Sequence, residues 1–490
     1  MKLIALTATS LLLSTLLGAQ SPIPTRGGGA PLDSPGSLGA GGRQAGQGPR
    51  GGGAFDASTL PSSPAAVPLP SMSPPVGGPG PMFESLMALP AGDDLAHFKY
   101  EASEYFVSGT ANGQPYTTRI VIRKPVDAAR ASGLLLAESM HPSGNAWMFH
   151  FTHRYSMSAG HIGLDVLTST HEPFVEFNEQ RYRNLRVAPG QAPEILAQVG
   201  ALMKSKDSPI AAYRIRKMIL AGTSASAAVV INYLPAHTVL RLADMRPIYD
   251  GFLPTSTGAT IAVQATAGGT ARPVDVPIVQ VPTMTEVASA NVTARQDSDA
   301  PGNQFRVYEF PGMAHIDSRD AAAYYPNPCK LPISRFPMAA YMSVALDHLW
   351  KWVDKGTVAP RADRILVDRN DANDGSLMAL DEYGNPRGGI RNPYVDVPVK
   401  AFAVRNAGAS PPVANAHPFV ASRTPEAQAQ LCGLAGYEVA MTPAQLKKLY
   451  KDAKSYRARV EKRLDELTKQ GWSLPVYREI ILRDAAAVNF

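Results

Sequence analysis

Residues 222–226, Gly-Thr-Ser-Ala-Ser, have the types and spacing of a serine nucleophile held at a sharp turn. The apolar run 218–221 before them predicts a short strand, and the run 227–231 after them predicts the start of a helix. Small residues permit the strained backbone of such a turn, and free N–H groups at the helix N-terminus can stabilise an oxyanion. Ser224 is therefore the candidate nucleophile, although Ser226 stands where the usual elbow pattern has glycine.

Acyl chemistry at a serine needs a base that removes the hydroxyl proton and a carboxylate that orients the base. Glu286 follows the predicted strand 277–281, and His315 follows the predicted strand 304–310. The chain order of serine, acid and histidine is the one typical of α/β-hydrolases, and both side chains lie in loops that leave strand C-termini. The sequence therefore predicts a catalytic triad of Ser224, His315 and Glu286.

Other carboxylates compete for the role of the acid. Asp250, in the sequence Tyr-Asp-Gly, is the main alternative, because some hydrolases place the acid one strand earlier. Asp297 and Asp299 are weaker alternatives. A carboxylate in a loop is often only a solvated charge, so the chain order, rather than the residue type, favours Glu286.

An oxyanion hole requires two N–H groups near the nucleophile. The N–H of Ala225, the residue after the serine, is the expected first donor. The second is expected from the loop 139–144, which follows the predicted strand 133–138. Ser139 and Met140 are the two candidates in that loop.

Histidines are dense between residues 141 and 171. The spacing of His150 and His153 is compatible with a zinc site. No carboxylate or cysteine accompanies them at ligand spacing, so the sequence predicts neither a metal nor another cofactor.

The N-terminal residues have the composition of a secretory signal peptide. Lys2 precedes the apolar run 11–17, and cleavage is expected after Ala19. Residues 20–80 are rich in Gly, Pro, Ser and Ala and have too few bulky apolar residues to form a core. They are predicted to be a disordered linker before one domain, residues 81–490, with a C-terminal extension from about residue 336.

Composition also limits the class of protein. The net charge of +6 is spread along the chain without a basic block, so nucleic acid is not an expected partner. No later apolar run approaches the roughly 20 residues of a membrane helix, so we expect a secreted or periplasmic protein without an integral membrane span. Cys329 and Cys432 either form a disulfide in that oxidising compartment or remain buried thiols. No pattern in the sequence specifies an oligomeric state.

Short apolar strands alternate with helical patterns from about residue 95 onward. The predicted strands are 98–109, 116–124, 133–138, 161–167, 217–221, 247–253, 277–281 and 304–310. The predicted helices are 193–204, 209–216, 338–355 and 443–470. This alternation indicates an α/β fold with a mainly parallel central sheet, helices on both faces and an antiparallel opening pair.

Five segments resemble the bacterial exported α/β-hydrolase domain proteins, a branch of the α/β-hydrolase superfamily. They are residues 136–139, 222–226, 249–253, 306–315 and 381–391, of which the last two are the most specific. The resemblance covers most of the chain from about residue 95. It implies an α/β-hydrolase fold with Ser224 as nucleophile, His315 as base and Glu286 as acid.

What the resemblance implies for function is a carboxylic-ester hydrolase that acts on a small-molecule or lipid-like ester through an acyl-enzyme. Family members often have Ser-Gln-Ser-Gly at the elbow where this chain has Ser-Ala-Ser-Ala, so no particular substrate is implied. An acyl transferase with the same triad is the nearest alternative. A non-catalytic binding protein on the same scaffold is the other, and the presence of all three triad residues disfavours it.

Overall fold

The computed structural model of the protein describes residues 55–169, 171–263, 265–267, 269, 271–289, 292–319, 327–368, 377–410 and 425–490. The predicted signal peptide, residues 1–19, lies outside these ranges. So does the first part of the predicted linker, residues 20–54.

Strands and helices alternate through most of the described chain. The strands are β1 (Ala65–Ala66), β2 (Ser71–Met72), β3 (Tyr100–Ala111), β4 (Gln114–Pro125), β5 (Leu134–Ser139), β6 (Ile162–Val166), β7 (Lys217–Thr223), β8 (Leu240–Arg241), β9 (Gly251–Thr255), β10 (Ile278–Gln280), β11 (Phe305–Val307), β12 (Lys400–Ala403) and β13 (Tyr437–Ala440). The α-helices are α1 (Leu95–Phe98), α2 (Trp147–Ser158), α3 (Glu172–Phe177), α4 (Glu179–Tyr182), α5 (Ala192–Met203), α6 (Ala225–Val239), α7 (Met284–Ala288), α8 (Met338–Lys355), α9 (Pro393–Asp396), α10 (Pro425–Leu434), α11 (Pro443–Tyr450), α12 (Ala453–Gln470) and α13 (Arg478–Ala486).

A nine-stranded sheet with the order β11-β10-β9-β7-β5-β6-β4-β3-β2 lies at the centre. The strands from β11 to β6 in this order run parallel to one another. The remaining strands, β4, β3 and β2, continue the sheet in antiparallel pairs. The predicted mainly parallel sheet with an antiparallel opening pair is therefore confirmed. Because the C-termini of parallel strands share one edge, the loops after β5, β7, β9, β10 and β11 emerge side by side.

Side chains of the central strands are buried on both faces of this sheet. In β5, Leu134 and Leu136 pack into a core shared with α8, whereas Leu135 and Ala137 pack into a core shared with α5 and α6. Full burial of a leucine side chain contributes roughly 1.5–3 kcal/mol. Helices cover both faces, which explains why these strands are continuous apolar runs rather than alternating ones.

The domain begins before residue 81, where the sequence analysis placed its start. β1 pairs with β8, and β2 adds to the sheet edge beside β3. The N–H of Val76 donates to the carbonyl of Glu104 at 2.8 Å, and Leu60 is only 2 % exposed. Residues 55–80 are thus part of the domain, because backbone pairing with distant strands supplies the hydrogen bonds that their composition does not predict.

Two predicted helices differ from the structure. Residues 209–216 contain only the 3-10 turn Ala211–Tyr213. Residues 443–470 form two helices, α11 and α12, because Lys451 has a φ of 70° and Asp452 accepts a capping hydrogen bond from the first turn of α12. Asp452 is a typical N-cap residue and marks the start of α12, but the prediction followed the apolar periodicity and treated both helices as one.

The C-terminal extension begins after α8, later than the predicted residue 336. Helix α8 packs directly on β7, β9 and β10, so it belongs to the layer that covers the sheet. The elements that follow it share the same core through Phe402, Leu464 and Ile481. The extension therefore supports the sheet and its loops rather than forming a separate domain.

Candidate active site

Ser224 lies in the sharp turn between β7 and α6. Its φ of 55° and ψ of −119° place it in a region that residues other than glycine rarely adopt. Its N–H donates to the carbonyl of Thr255 at 3.0 Å, which fixes the turn to the end of the neighbouring strand β9. The Ser224 hydroxyl makes no capping bond to α6, so it is available for other contacts.

Two neighbouring residues make this backbone possible. A Cβ on Gly222 would come within 2.4 Å of the carbonyl oxygen of Ser226, so only glycine fits there. The Ser226 hydroxyl accepts a hydrogen bond from the N–H of Thr223 and donates one to its carbonyl, both at 2.9 Å. The serine that replaces the usual glycine thus holds the residue before the nucleophile, a role that the sequence pattern did not suggest.

His315 lies after β11 and contacts both other predicted triad residues. Its Nε2 is 2.9 Å from the Oγ of Ser224, and its Nδ1 is 2.7 Å from the Oε1 of Glu286. The ring is mostly buried, with 11 % of the side chain exposed. In this geometry Nε2 can take the hydroxyl proton while the N–H at Nδ1 donates to the carboxylate.

Glu286 lies in the short helix α7. Its Oε2 accepts hydrogen bonds from the N–H and the hydroxyl of Thr283, both at 2.7 Å, which leaves Oε1 for His315. Burial raises the pKa of Glu286, but the His315 charge and the hydrogen bonds from His315 and Thr283 outweigh burial and hold the pKa below its usual value. The carboxylate is thus ionised at neutral pH. The capping box formed by Thr283 and Glu286 is a sequence signal that could have located this helix start.

Asp250, the alternative acid, lies at the opposite edge of the sheet. It precedes β9, and its carboxylate accepts hydrogen bonds from the side chains of Lys204 at 2.7 Å and Lys217 at 3.1 Å. The N–H of Met218, at the start of β7, also donates to it, at 2.8 Å. The alternative is therefore wrong, because strand β9 begins after Asp250 instead of ending before it.

The backbone N–H groups of the three predicted oxyanion donors, Ala225, Met140 and Ser139, face different parts of the structure. Ala225 is the first residue of α6, so its N–H has no carbonyl partner within the helix. The N–H of Met140 donates to the carbonyl of Val166 in β6 at 2.8 Å. Successive N–H groups of a strand point to opposite sides. Because the N–H of Met140 faces β6, the N–H of Ser139, the last residue of β5, faces β7 within the sheet. This corrects the prediction of Ser139 or Met140, because β5 continues its pairing further than expected.

A threonine that the sequence analysis did not identify connects the site to the extension. The hydroxyl of Thr285 accepts a hydrogen bond from the N–H of His315 at 3.1 Å and donates to the carbonyl of Leu434 at 3.2 Å. Leu434 ends α10, a helix that the disulfide between Cys329 and Cys432 attaches to the loop after the histidine. Of the two alternatives for these cysteines, the structure has the disulfide.

The segment 381–391, one of the specific family segments, braces the chain just before the histidine. A Cβ on Gly389 would come within 2.8 Å of the carbonyl oxygen of Glu309, so the two backbones are in close contact. Just beyond the segment, the Asn392 side chain donates to the carbonyl of Pro311 at 2.6 Å. The extension therefore fixes the backbone of the loop that carries the histidine.

Two further observations concern the described residues. No three His, Cys, Asp or Glu side chains among them are arranged to hold a metal ion. None of the helices in the described part of the chain has both the length and the apolar composition needed to cross a bilayer.

Comparisons with known proteins agree with this architecture. The sequence model of the family described as "Alpha/beta hydrolase domain" matches residues 65–483. No curated protein sequence matches the chain significantly.

Solved structures with detectable similarity include three hydrolases. They are a cold-adapted esterase from an Arctic intertidal metagenomic library (11 % identity, 42 % of this chain and 84 % of that chain, TM-score 0.24), the esterase Est22 (10 % identity, 40 % and 68 %, TM-score 0.27) and LpqC, a poly(3-hydroxybutyrate) depolymerase from Bordetella parapertussis (12 % identity, 54 % and 92 %, TM-score 0.31). These TM-scores are too low to carry an argument, so the assignment rests on the family match and on the strand order. The chain belongs to the alpha/beta hydrolase domain family.

Proposed function

We propose that the protein is a serine hydrolase of carboxylic esters. The observation that carries this proposal is the continuous series of hydrogen bonds from Ser224 Oγ to His315 Nε2, at 2.9 Å, and from His315 Nδ1 to Glu286 Oε1, at 2.7 Å. The strained backbone of Ser224 adds to it, since strain of this kind persists where the surrounding structure enforces it at functional sites.

In the proposed mechanism, the Ser224 oxygen attacks the ester carbonyl while its proton passes to Nε2 of His315. Glu286 stabilises the imidazolium that forms, and the N–H of Ala225 donates to the tetrahedral oxyanion. The intermediate collapses to an acyl-enzyme, and the leaving alcohol takes the proton from His315. A water molecule, activated by the same histidine, then releases the carboxylic acid and regenerates the Ser224 hydroxyl.

Export is part of the proposal. The predicted signal peptide, residues 1–19, would deliver the protein to an oxidising compartment. The disulfide between Cys329 and Cys432 supports this location, because disulfides persist in secreted and periplasmic proteins and are rare in the cytosol.

The experiment that tests the proposal compares wild type with Ser224→Ala on p-nitrophenyl esters of graded acyl length. Wild type is expected to turn over at least one ester and to react with a fluorophosphonate probe at Ser224. Ser224→Ala should lose the label and roughly 10⁴-fold or more in kcat, as expected when a triad member is removed. Replacement of the exposed Ser58 by alanine is the control and should change neither readout. Full turnover by Ser224→Ala would show that the mechanism is wrong.

A further inference from the structure

The loop that follows β5 has a second histidine, His141, which lies close to the proposed triad. β5 and β7 are neighbours in the sheet, so this loop leaves the sheet beside the turn that holds Ser224. The ring of His141 is nearly buried, with 4 % of the residue exposed. Burial, and then the positive charge of nearby His315, lowers the pKa of His141 to about 3. His141 is therefore a neutral imidazole at any pH at which the triad would work.

The hydrogen bonds of His141 determine which of its ring nitrogens carries the proton. The backbone N–H of Ser143 donates to Nδ1 at 3.1 Å. A backbone N–H can only donate, so Nδ1 must be the acceptor and the proton of the neutral ring must be on Nε2. The Ser143 hydroxyl, 2.8 Å from Nδ1, accepts from the indole N–H of Trp147 at 3.3 Å, which directs its own proton toward Nδ1. Nε2 has no hydrogen-bond partner among the residues that the structure describes.

Hydrogen bonds connect the strand before the loop to the helix after it. The carboxylate of Glu138, in β5, accepts hydrogen bonds from the N–H groups of Met148 and Phe149 at 2.9 and 2.8 Å. These two residues belong to the first turn of α2, directly after the loop. A donor carried by such a loop does not need to reorganise when charge develops beside it, which is the condition for electrostatic stabilisation of a transition state.

Most backbone N–H groups of the loop already have acceptors. Those of Met140, His141, Gly144 and Ala146 donate to backbone carbonyls. The N–H of Asn145 is the exception among the described bonds. The next residue, Ala146, faces the β6 side rather than β7, because its N–H donates to the carbonyl of Ser85 at 2.8 Å, and the Ser85 hydroxyl bonds to Asp165 in β6.

We infer that the side chain of His141 supplies the second donor of the oxyanion hole, with its Nε2–H directed at the carbonyl oxygen of the substrate. The inference rests on the proposed function, because it concerns the oxyanion formed at Ser224. The N–H of Ala225 approaches this oxygen from the start of α6, and His141 approaches it from the loop after β5. Being neutral, His141 donates without adding a full charge beside His315.

Two substitutions at His141 separate the donor from the anchor of the loop. His141→Asn keeps an oxygen that can accept the N–H of Ser143, but it has no group at the position of Nε2. His141→Gln places an amide N–H near the position of Nε2 and gives up the bond from Ser143. The readouts are kcat and KM on the best p-nitrophenyl ester, the inhibition constant of a matching trifluoromethyl ketone, which forms a tetrahedral adduct on serine, and the thermal midpoint.

His141→Asn is expected to lower kcat about 100- to 1000-fold with little change in KM, and to weaken the trifluoromethyl ketone by a similar factor. His141→Gln should retain kcat within roughly tenfold of wild type, even if its thermal midpoint falls. A purely structural role predicts the reverse order, with His141→Gln the more damaged variant. If His141→Asn does not fold, the result for His141→Gln decides, and a loss of 100-fold or more in that variant overturns the inference.

A kcat for His141→Asn within threefold of wild type would also overturn the inference and would leave the Asn145 N–H as the second donor. That outcome does not affect the proposed function, which Ser224→Ala tests separately. If Ser224→Ala retained full turnover, the proposed function would fail, and the role of His141 with it.

Discussion

Glu286 and Asp250 are carboxylates next to neighbouring strands of one sheet, yet their surroundings differ completely. Glu286 follows β10, and its oxygens contact His315 and Thr283. Asp250 precedes β9, and its oxygens contact two lysines and a backbone N–H. Because the strands are parallel, their C-termini collect at one edge and their N-termini at the other. The end of the strand, rather than the residue type, decides which carboxylate can orient a histidine.

The two edges also differ in what supports them. Asp250 accepts hydrogen bonds from β7 and from Lys204, which directly follows α5. Its partners thus belong to the sheet and to the helical layer that covers it. At the opposite edge, Thr285 links the N–H of His315 to Leu434, far along in the C-terminal extension. The sheet edge at which His315 lies is therefore connected to the C-terminal extension, whereas these bonds of Asp250 at the other edge involve no residue of that extension.

Of the substitutions that test this comparison, Glu286→Gln should have the largest effect on turnover. Glutamine keeps the shape of the side chain but cannot stabilise a charged His315, so kcat is expected to fall about 10⁴-fold. Ester turnover measures the loss, and the thermal midpoint checks that the fold is retained. A loss of less than tenfold would show that Glu286 is not the orienting acid.

Removal of the disulfide between Cys329 and Cys432 should have the second-largest effect. The cysteines are 103 residues apart, and closure of a loop of that length is worth roughly 4–5 kcal/mol in the chain-entropy model. The double variant Cys329→Ser, Cys432→Ser is expected to lose about that much of its free energy of unfolding, measured by urea denaturation. Its kcat should fall several-fold, because Leu434 anchors Thr285. Unchanged stability and kcat would mean that the extension holds the triad edge without this bond.

The substitution Asp250→Asn should have the smallest effect on catalysis. It removes the charge that compensates Lys204 and Lys217, so the free energy of unfolding is expected to fall by about 1–3 kcal/mol. Turnover should remain within threefold of wild type, because the carboxylate lies at the edge opposite Ser224. Both variants, Asp250→Asn and Glu286→Gln, are assayed for ester turnover under the same conditions. An equal loss of kcat in the two would contradict the different roles of the two carboxylates.

Local pattern was sufficient to predict the turn at Ser224 and the chain order of the three residues of the proposed triad. Ser224, Glu286 and His315 each follow a short apolar strand, and a parallel sheet necessarily brings such positions to one edge. The role of Ser226 was not predictable, because its two bonds to Thr223 depend on the geometry of the turn rather than on the residue pattern. Asp250 was an alternative because some hydrolases place the acid one strand earlier, and it fell inside the predicted strand 247–253. The strand begins only at Gly251, and boundaries are the weakest part of any sequence-based assignment.

By itself, the sequence determined the family, the parallel architecture and the set of residues able to carry acyl chemistry, because apolar periodicity and chain order are local properties of the chain. Only the tertiary structure decided which acid meets the histidine, which N–H groups are already used by the sheet and how His141 is oriented. It also brought residues 55–80 into the domain and joined the two cysteines. These outcomes depend on pairing between segments far apart in the sequence, and no local pattern of residues specifies such contacts.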